Sequence, residues 1–147
     1  MSYWDTSALL KLYVAEPDSG AFLALASGTP KLVTAFIGKH EARTAFRRRE
    51  AENVLSPGGG DACYQKLIHD ISPGRLEVVP ESTQLEDEFG RILAQCLSQS
   101  PPIFVRTNDA LHLAAAKVTG ETEFISTDGK QRAAAAFLGF TVLPASP

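Results

Sequence analysis

Ser2-Tyr3-Trp4-Asp5-Thr6-Ser7-Ala8-Leu9-Leu10 changes character in its middle. Two aromatics suited to a buried strand run into Asp5, and Thr6-Ser7 then offers a turn or a helix start. A carboxylate at the carboxyl end of a first strand stands where open α/β sheets place their ligand sites. Capping of the next helix by Asp5 or Thr6 explains the same residues, and caps are far commoner than active sites. The rest of the chain has to decide between the two.

Working outward, Ala8-Leu9-Leu10 and Leu12-Tyr13-Val14 predict a short helix, interrupted by Glu16-Pro17-Asp18-Ser19-Gly20. A second helix carries Phe22, Leu23, Leu25 and Ala26, and Lys31 to Thr34 reads as a second strand. The helix from about Phe36 to Asn53 places Glu41 four residues from both Ile37 and Ala45, on a stripe with apolar side chains. A carboxylate turned inward is costly unless something positive meets it. Glu41 is therefore either a functional acid or an acid at the edge of the stripe, paired with a nearby Lys39 or Arg.

Gly58-Gly59-Gly60 breaks the chain, and a helix over Ala62 to Ser72 follows. Leu76 to Val79 predicts a third strand, and Thr83 with Glu86 has capping-box spacing for a helix bearing Leu85, Phe89, Ile92, Leu93 and Cys96. Arg106-Thr107-Asn108-Asp109 then opens an alanine-rich, buried helix, where one of Thr107, Asn108 and Asp109 suffices as a cap. His112, one turn on, reads as a packed or hydrogen-bonded histidine, since the spacings of His40, His69 and His112 fit no zinc pattern. Glu123 to Ser126 predicts a fourth strand, Asp128 opens another helix, Gly139 closes it, and Phe140 to Leu143 is the last strand.

The bulk numbers set limits on this reading. The 147 residues fit one domain, 1–147, and 44% hydrophobic against 21% charged residues suffices for a core. A net charge of -3 argues against broad adhesion to nucleic acid or anionic lipid, though not against a local basic patch. Arg47-Arg48-Arg49 and Lys11 are the candidates for phosphate contact. The two cysteines, Cys63 and Cys96, read as small buried hydrophobes of a reduced compartment. No signal peptide precedes Asp5 and no apolar run reaches membrane-spanning length, so the expected location is cytoplasmic, with no membrane partner.

Alternating strands and helices imply right-handed crossovers and a central, mostly parallel sheet with helices on both faces, a three-layer α/β/α fold. Asp5, Glu41, Asp109 and Asp128 are then available to one sheet edge. Unneutralised, they repel, and some shift to the protonated form. A divalent cation removes the conflict. Oxygen donors without a Cys/His set favour Mg²⁺, with Mn²⁺ as a substitute, over Zn²⁺. Such a metal can activate a water and stabilise charge on a phosphoryl oxygen, which is the chemistry of phosphodiester hydrolysis.

At this point the chain resembles the PIN-domain nucleases, in particular the toxin ribonucleases of VapBC-type toxin–antitoxin pairs. The resemblance rests on Tyr3-Trp4-Asp5-Thr6-Ser7, on Val33-Thr34 followed by Glu41-Ala42-Arg43, on Arg106 to Ala114, and on Ile125-Ser126-Thr127-Asp128 with a late Gly139. It covers nearly the whole chain. It implies that Asp5, Glu41, Asp109 and Asp128 surround Mg²⁺, with Asp5 and Asp109 as the leading direct ligands. Thr6 or Ser7, and Ser126, would support them by hydrogen bonds. It also implies a type II toxin with endoribonuclease activity on RNA, homodimerisation, and inhibition by a cognate antitoxin. Two positions depart from the usual pattern: Ala35, where a small hydroxyl residue is common, and the basic Lys39-His40 before Glu41.

Competing readings fit less well. Haloacid-dehalogenase-type phosphatases want a second Asp where Ser7 stands, and a receiver domain wants a strand-end lysine, whereas Lys130 falls inside a helix. A metal- or RNA-binding PIN scaffold without turnover is the alternative from another class, and the presence of all four acids speaks against it.

Overall fold

The computed structural model describes residues 1–146. Strand β1 (Ser2–Trp4) is followed by helices α1 (Thr6–Leu10) and α2 (Ser19–Ser27), strand β2 (Leu32–Ala35) and helices α3 (Phe36–Ala51) and α4 (Gly59–Ile71). Then come β3 (Leu76–Val79), α5 (Thr83–Leu97), α6 (Thr107–Val118), β4 (Glu123–Ile125), α7 (Gly129–Phe137) and β5 (Thr141–Leu143). The strands form one sheet in the order β3-β2-β1-β4-β5, and every pairing is parallel. The expected parallel α/β/α architecture is what the chain adopts.

Period-two alternation sorts the strand residues onto two faces. Tyr3, Val33 and Phe124 join one apolar cluster with Leu85 and Ile92 of α5, Leu113 of α6 and Ala134 of α7. Trp4, Leu32, Leu76 and Ile125 join the other, with Phe22 of α2, Phe46 of α3 and Leu67 of α4. Each face of the sheet is thereby covered by helices; β1 and β2 are buried at every residue, while the edge strands β3 and β5 are partly open.

The strand order also fixes where a site can lie. From β1 the chain steps outward to β2 and β3, then returns to the other side of β1 for β4 and β5. The carboxyl ends of β1 and β4 therefore flank a topological switch point, where loops diverge and leave a crevice. Asp5 follows β1 directly, and Asp128 lies three residues beyond β4.

Several element boundaries differ from the sequence reading. Helix α1 stops at Leu10 instead of running to Val14, because residues 11–13 turn before Pro17. Helix α4 begins at Gly59, so of the three glycines only Gly58 lies in the break between α3 and α4. The absence of a side chain at Gly60 lets α4 close on α3: a Cβ there would stand 3.0 Å from the Phe46 carbonyl and 2.7 Å from Glu50 Oε2. The Gly60 N–H donates to that same carboxylate at 2.8 Å. Helix α5 is capped by Ser82, one residue before the predicted Thr83, with its Oγ accepting from Leu85 N–H. Cys63 and Cys96 are free and buried, as expected. Among the described residues no helix is long and apolar enough to cross a membrane.

Candidate active site

Asp5 sits at the start of α1 with only 1% of its surface exposed. Its carboxylate caps α1, as the commoner of the two readings has it, and it also lines a cavity. Oδ1 accepts from Ser7 Oγ at 2.7 Å and from Ala8 N–H at 2.9 Å, and Oδ2 accepts from Ser126 Oγ at 2.5 Å. Ser7 Oγ in turn accepts from Thr127 N–H, and Ser126 Oγ from Asp128 N–H. The two serines thus stitch the loop after β1 to the loop after β4. Burial pushes the Asp5 carboxyl up from its ordinary range, opposed by the neighbouring His112 imidazole and by the hydrogen bonds from Ser126, Ala8 and Ser7.

Helix α3 supplies Glu41. Its buried positions are Gly38, Ala42 and Phe46, so Glu41 flanks the buried stripe and faces the cavity rim. Thr6 Oγ1 donates to Glu41 Oε2 at 2.5 Å, His112 Nε2 meets the same oxygen at 2.8 Å, and Asn108 Nδ2 donates to Oε1 at 2.8 Å. Burial favours the neutral acid, but these partners win and hold its pKa at about 2. A depressed carboxyl adds stability above its unfolded value and loses it as pH falls toward the folded one. The stability gap between the wild type and Glu41→Gln, followed by thermal melts without metal, is therefore expected to narrow as pH drops below the ordinary 4.5 toward about 2. A constant gap would show that the partners do not favour the ionised form.

The first turn of α6 is unusual. Its N-cap is Arg106, which makes no side-chain cap bond, so none of Thr107, Asn108 and Asp109 acts as the expected cap. Asn108 is free to reach Glu41, and Asp109 is held by Arg106 through Nε at 2.7 Å and Nη2 at 3.2 Å. The same Nη2 donates to Asp128 Oδ2 at 3.0 Å. Asp128 also caps α7, its Oδ1 accepting from Lys130 and Gln131 N–H.

All four acids line one cavity of about 470 Å³, together with Thr6, Ser7, His40, Arg48, Arg106 and His112. They do not close into a tight cluster: among the described residues, no three His, Cys, Asp or Glu side chains group as a metal site does. The reason is visible in the contacts, since a guanidinium lies between Asp109 and Asp128, and Glu41 is occupied by Thr6, Asn108 and His112. The donor set is nonetheless all carboxylate oxygen, and it already holds one cation.

The basic candidates part company here. Three successive helical residues point about 100° apart, so the Arg47-Arg48-Arg49 run cannot face one way. Arg48 lines the cavity. Arg47 pairs with Glu50 and Asp61, Arg49 with Glu16 and Glu52, and Lys11 with Glu16 and Asp18. Sequence reasoning named Asn108 only as a possible cap and Tyr3 only as a buried strand residue, and gave neither of them, nor Arg106, a place among the site residues. The one signal for Arg106 was its i,i+3 spacing to Asp109. Ala35, the departure noted above, stands at the N-cap of α3 and leaves it without a side-chain cap.

A search of curated protein sequences found no match. Among solved structures, VapC20 of Mycobacterium tuberculosis, described as a toxin that cleaves the sarcin–ricin loop, superposes with a TM-score of 0.70 at 18% identity, covering 96% of this chain and 97% of that one. FitAcB from Neisseria gonorrhoeae gives 0.70 at 16% identity over 97% and 96% of the two chains. A toxin–antitoxin complex from Klebsiella pneumoniae gives 0.64 at 16% over 90% and 91%. These likenesses concern the fold. The PIN domain family model matches residues 2–136, from β1 into the last turn of α7 and across all four acids. The chain belongs to the PIN domain family.

Proposed function

We propose that this chain is a metal-dependent endoribonuclease that hydrolyses RNA phosphodiester bonds, as the toxin of a type II toxin–antitoxin pair. The observation that carries the reading is the Arg106 guanidinium held between Asp109 and Asp128, above a cavity that Asp5 and Glu41 also line. The acids already gather positive charge at one spot, and oxygen-only donors suit Mg²⁺ or Mn²⁺. Asp5 and Asp109 are assigned as direct ligands, with Glu41 and Asp128 completing the set. A cation bound there supplies an activated water and stabilises charge on a phosphoryl oxygen.

The chain's own residues do the rest. Ser7 and Ser126 fix the two oxygens of Asp5, so the carboxylate does not have to reorganise. Arg48, His40 and Arg106 border the acids and are placed to meet RNA phosphates. With a net charge of -3, that attraction is local to the crevice. Single-stranded loops, whose backbone can enter an open crevice, are the substrate class. A cognate antitoxin is part of the reading, supported by the toxin–antitoxin complex among the structural neighbours, and it would enter the acidic crevice with a basic side chain. Homodimerisation and a cytoplasmic location belong to the same reading.

Arg106 gives the test. A dication must displace its guanidinium from Asp109 and Asp128. Arg106→Gln is therefore expected to bind Mn²⁺ about tenfold more tightly in titration calorimetry, roughly the effect of losing two exposed ion pairs. RNA binding by the same variant should weaken. Equal Mn²⁺ affinity in both proteins would separate Arg106 from the metal position, and a wild type that takes up no Mn²⁺ would overturn the four-acid site.

A further inference from the structure

We infer that His112 and Tyr3 form a buried positioning relay that aims Glu41, and that neither is a metal ligand or a proton-transfer group. The inference rests on the nuclease reading for its catalytic consequence, but its geometry stands apart from it. His112 is 2% exposed and Tyr3 is fully buried. The Tyr3 hydroxyl lies 2.7 Å from His112 Nδ1, and the two rings meet edge to face at 5.9 Å and 75°. On the opposite side of the imidazole, Nε2 reaches Glu41 Oε2 at 2.8 Å and Thr6 Oγ1 at 3.2 Å. Both ring nitrogens are thus committed to protein partners, which leaves no lone pair for a metal and no proton to exchange with a substrate.

The direction of the relay follows from donor and acceptor inventories. Glu41 Oε2 can only accept while ionised, so Nε2 carries the hydrogen. Nδ1 is then the acceptor and takes the Tyr3 hydroxyl proton. Tyr3 lies on the central strand and stacks on Phe124 at 5.2 Å, so its oxygen is anchored by the sheet core. The relay therefore transmits the rigidity of β1, through an imidazole on α6, to a carboxylate on α3. Close approach of α3 is required, and Gly38 permits it: a Cβ there would come within 3.2 Å of His112 Cε1 and 2.5 Å of Thr34 Oγ1. Three donors, from Thr6, His112 and Asn108, then fix both Glu41 oxygens, whose remaining lone pairs are the ones available to the cavity. This parallels the general role of outer-sphere hydrogen bonds in orienting ligands.

Two readouts test it. Long-range ¹H–¹⁵N spectra of the metal-free protein at pH 8, above the ordinary titration range of histidine, report which ring nitrogen bears hydrogen. The expected result is hydrogen on Nε2 and an accepting Nδ1 in the wild type, with that preference relaxed in Tyr3→Phe, which keeps the ring but removes the donor. Kinetically, His112→Ala should lower kcat for RNA cleavage about a hundredfold and Tyr3→Phe about tenfold, with KM little changed. His112→Gln, which restores a terminal N–H donor, should recover part of the loss. Hydrogen on Nδ1 in the wild type, or Tyr3→Phe identical to it in both tautomer and kcat, would overturn the relay. A wild type that cuts no RNA but shows the expected tautomer would reject the nuclease reading and leave the relay standing.

Discussion

Asp109→Asn is expected to lower RNA cleavage by about a thousandfold while the chain stays folded. The substitution keeps shape and removes one charge. Asp109 is 8% exposed, and its carboxylate contacts lie with Arg106 rather than with a helix cap. The Arg106 guanidinium is largely exposed and keeps its bond to Asp128, so the loss of the ion pair with Asp109 costs at most about 1 kcal/mol. Cleavage rates should thus collapse with a melting temperature within a few degrees of the wild type. Wild-type cleavage by the variant would remove Asp109 from the machinery.

Trp4→Ala should do the reverse, harming the fold first and activity only through it. Trp4 is fully buried, meets Phe22 edge-on at 6.4 Å, and donates its indole N–H to Ser2 Oγ at 2.9 Å. Truncating such a side chain typically costs about 3–5 kcal/mol, against a total stability of about 5–15 for a domain. Urea unfolding should show a midpoint shift of that size, and the residual activity should track the folded fraction. A loss of under about 1 kcal/mol would mean that the face of the sheet covered by α2, α3 and α4 is not a packed core. Together the two variants separate the acids from the scaffold that carries them, although Trp4 and Asp5 are adjacent in sequence.

The scaffold was largely legible because its signals are local. Tyr3 and Trp4 point to opposite faces by strand geometry, and the strand–helix alternation dictates parallel pairing. Asp5 and Asp128 announce themselves by following strands. Glu41 was only half legible: its spacing put it on the apolar stripe, whereas the buried stripe runs through Gly38, Ala42 and Phe46 and leaves Glu41 on the flank. The contacts that finish the site were beyond sequence reasoning. His112 is 71 residues from Glu41 and 109 from Tyr3, and no periodicity reports such a meeting. Arg106 was hidden differently. Three polar residues that each could cap α6 masked the fact that none does, and so left Asn108 and Asp109 free for the cavity. The basic run misled for a geometric reason, since only one of three consecutive helical residues can face the crevice.

The central claim is that four acids at the carboxyl edge of this sheet form a metal-dependent RNA-cutting site. Its most direct test is incubation of total cellular RNA with the purified, partner-free chain in Mg²⁺, in Mn²⁺ or in EDTA, beside Asp5→Asn. Discrete fragments are expected with either metal, none in EDTA, and none from the variant. Intact RNA after exposure to a folded, metal-loaded wild type would contradict it and favour a binding scaffold, while equal cleavage in EDTA would remove the metal from the chemistry altogether.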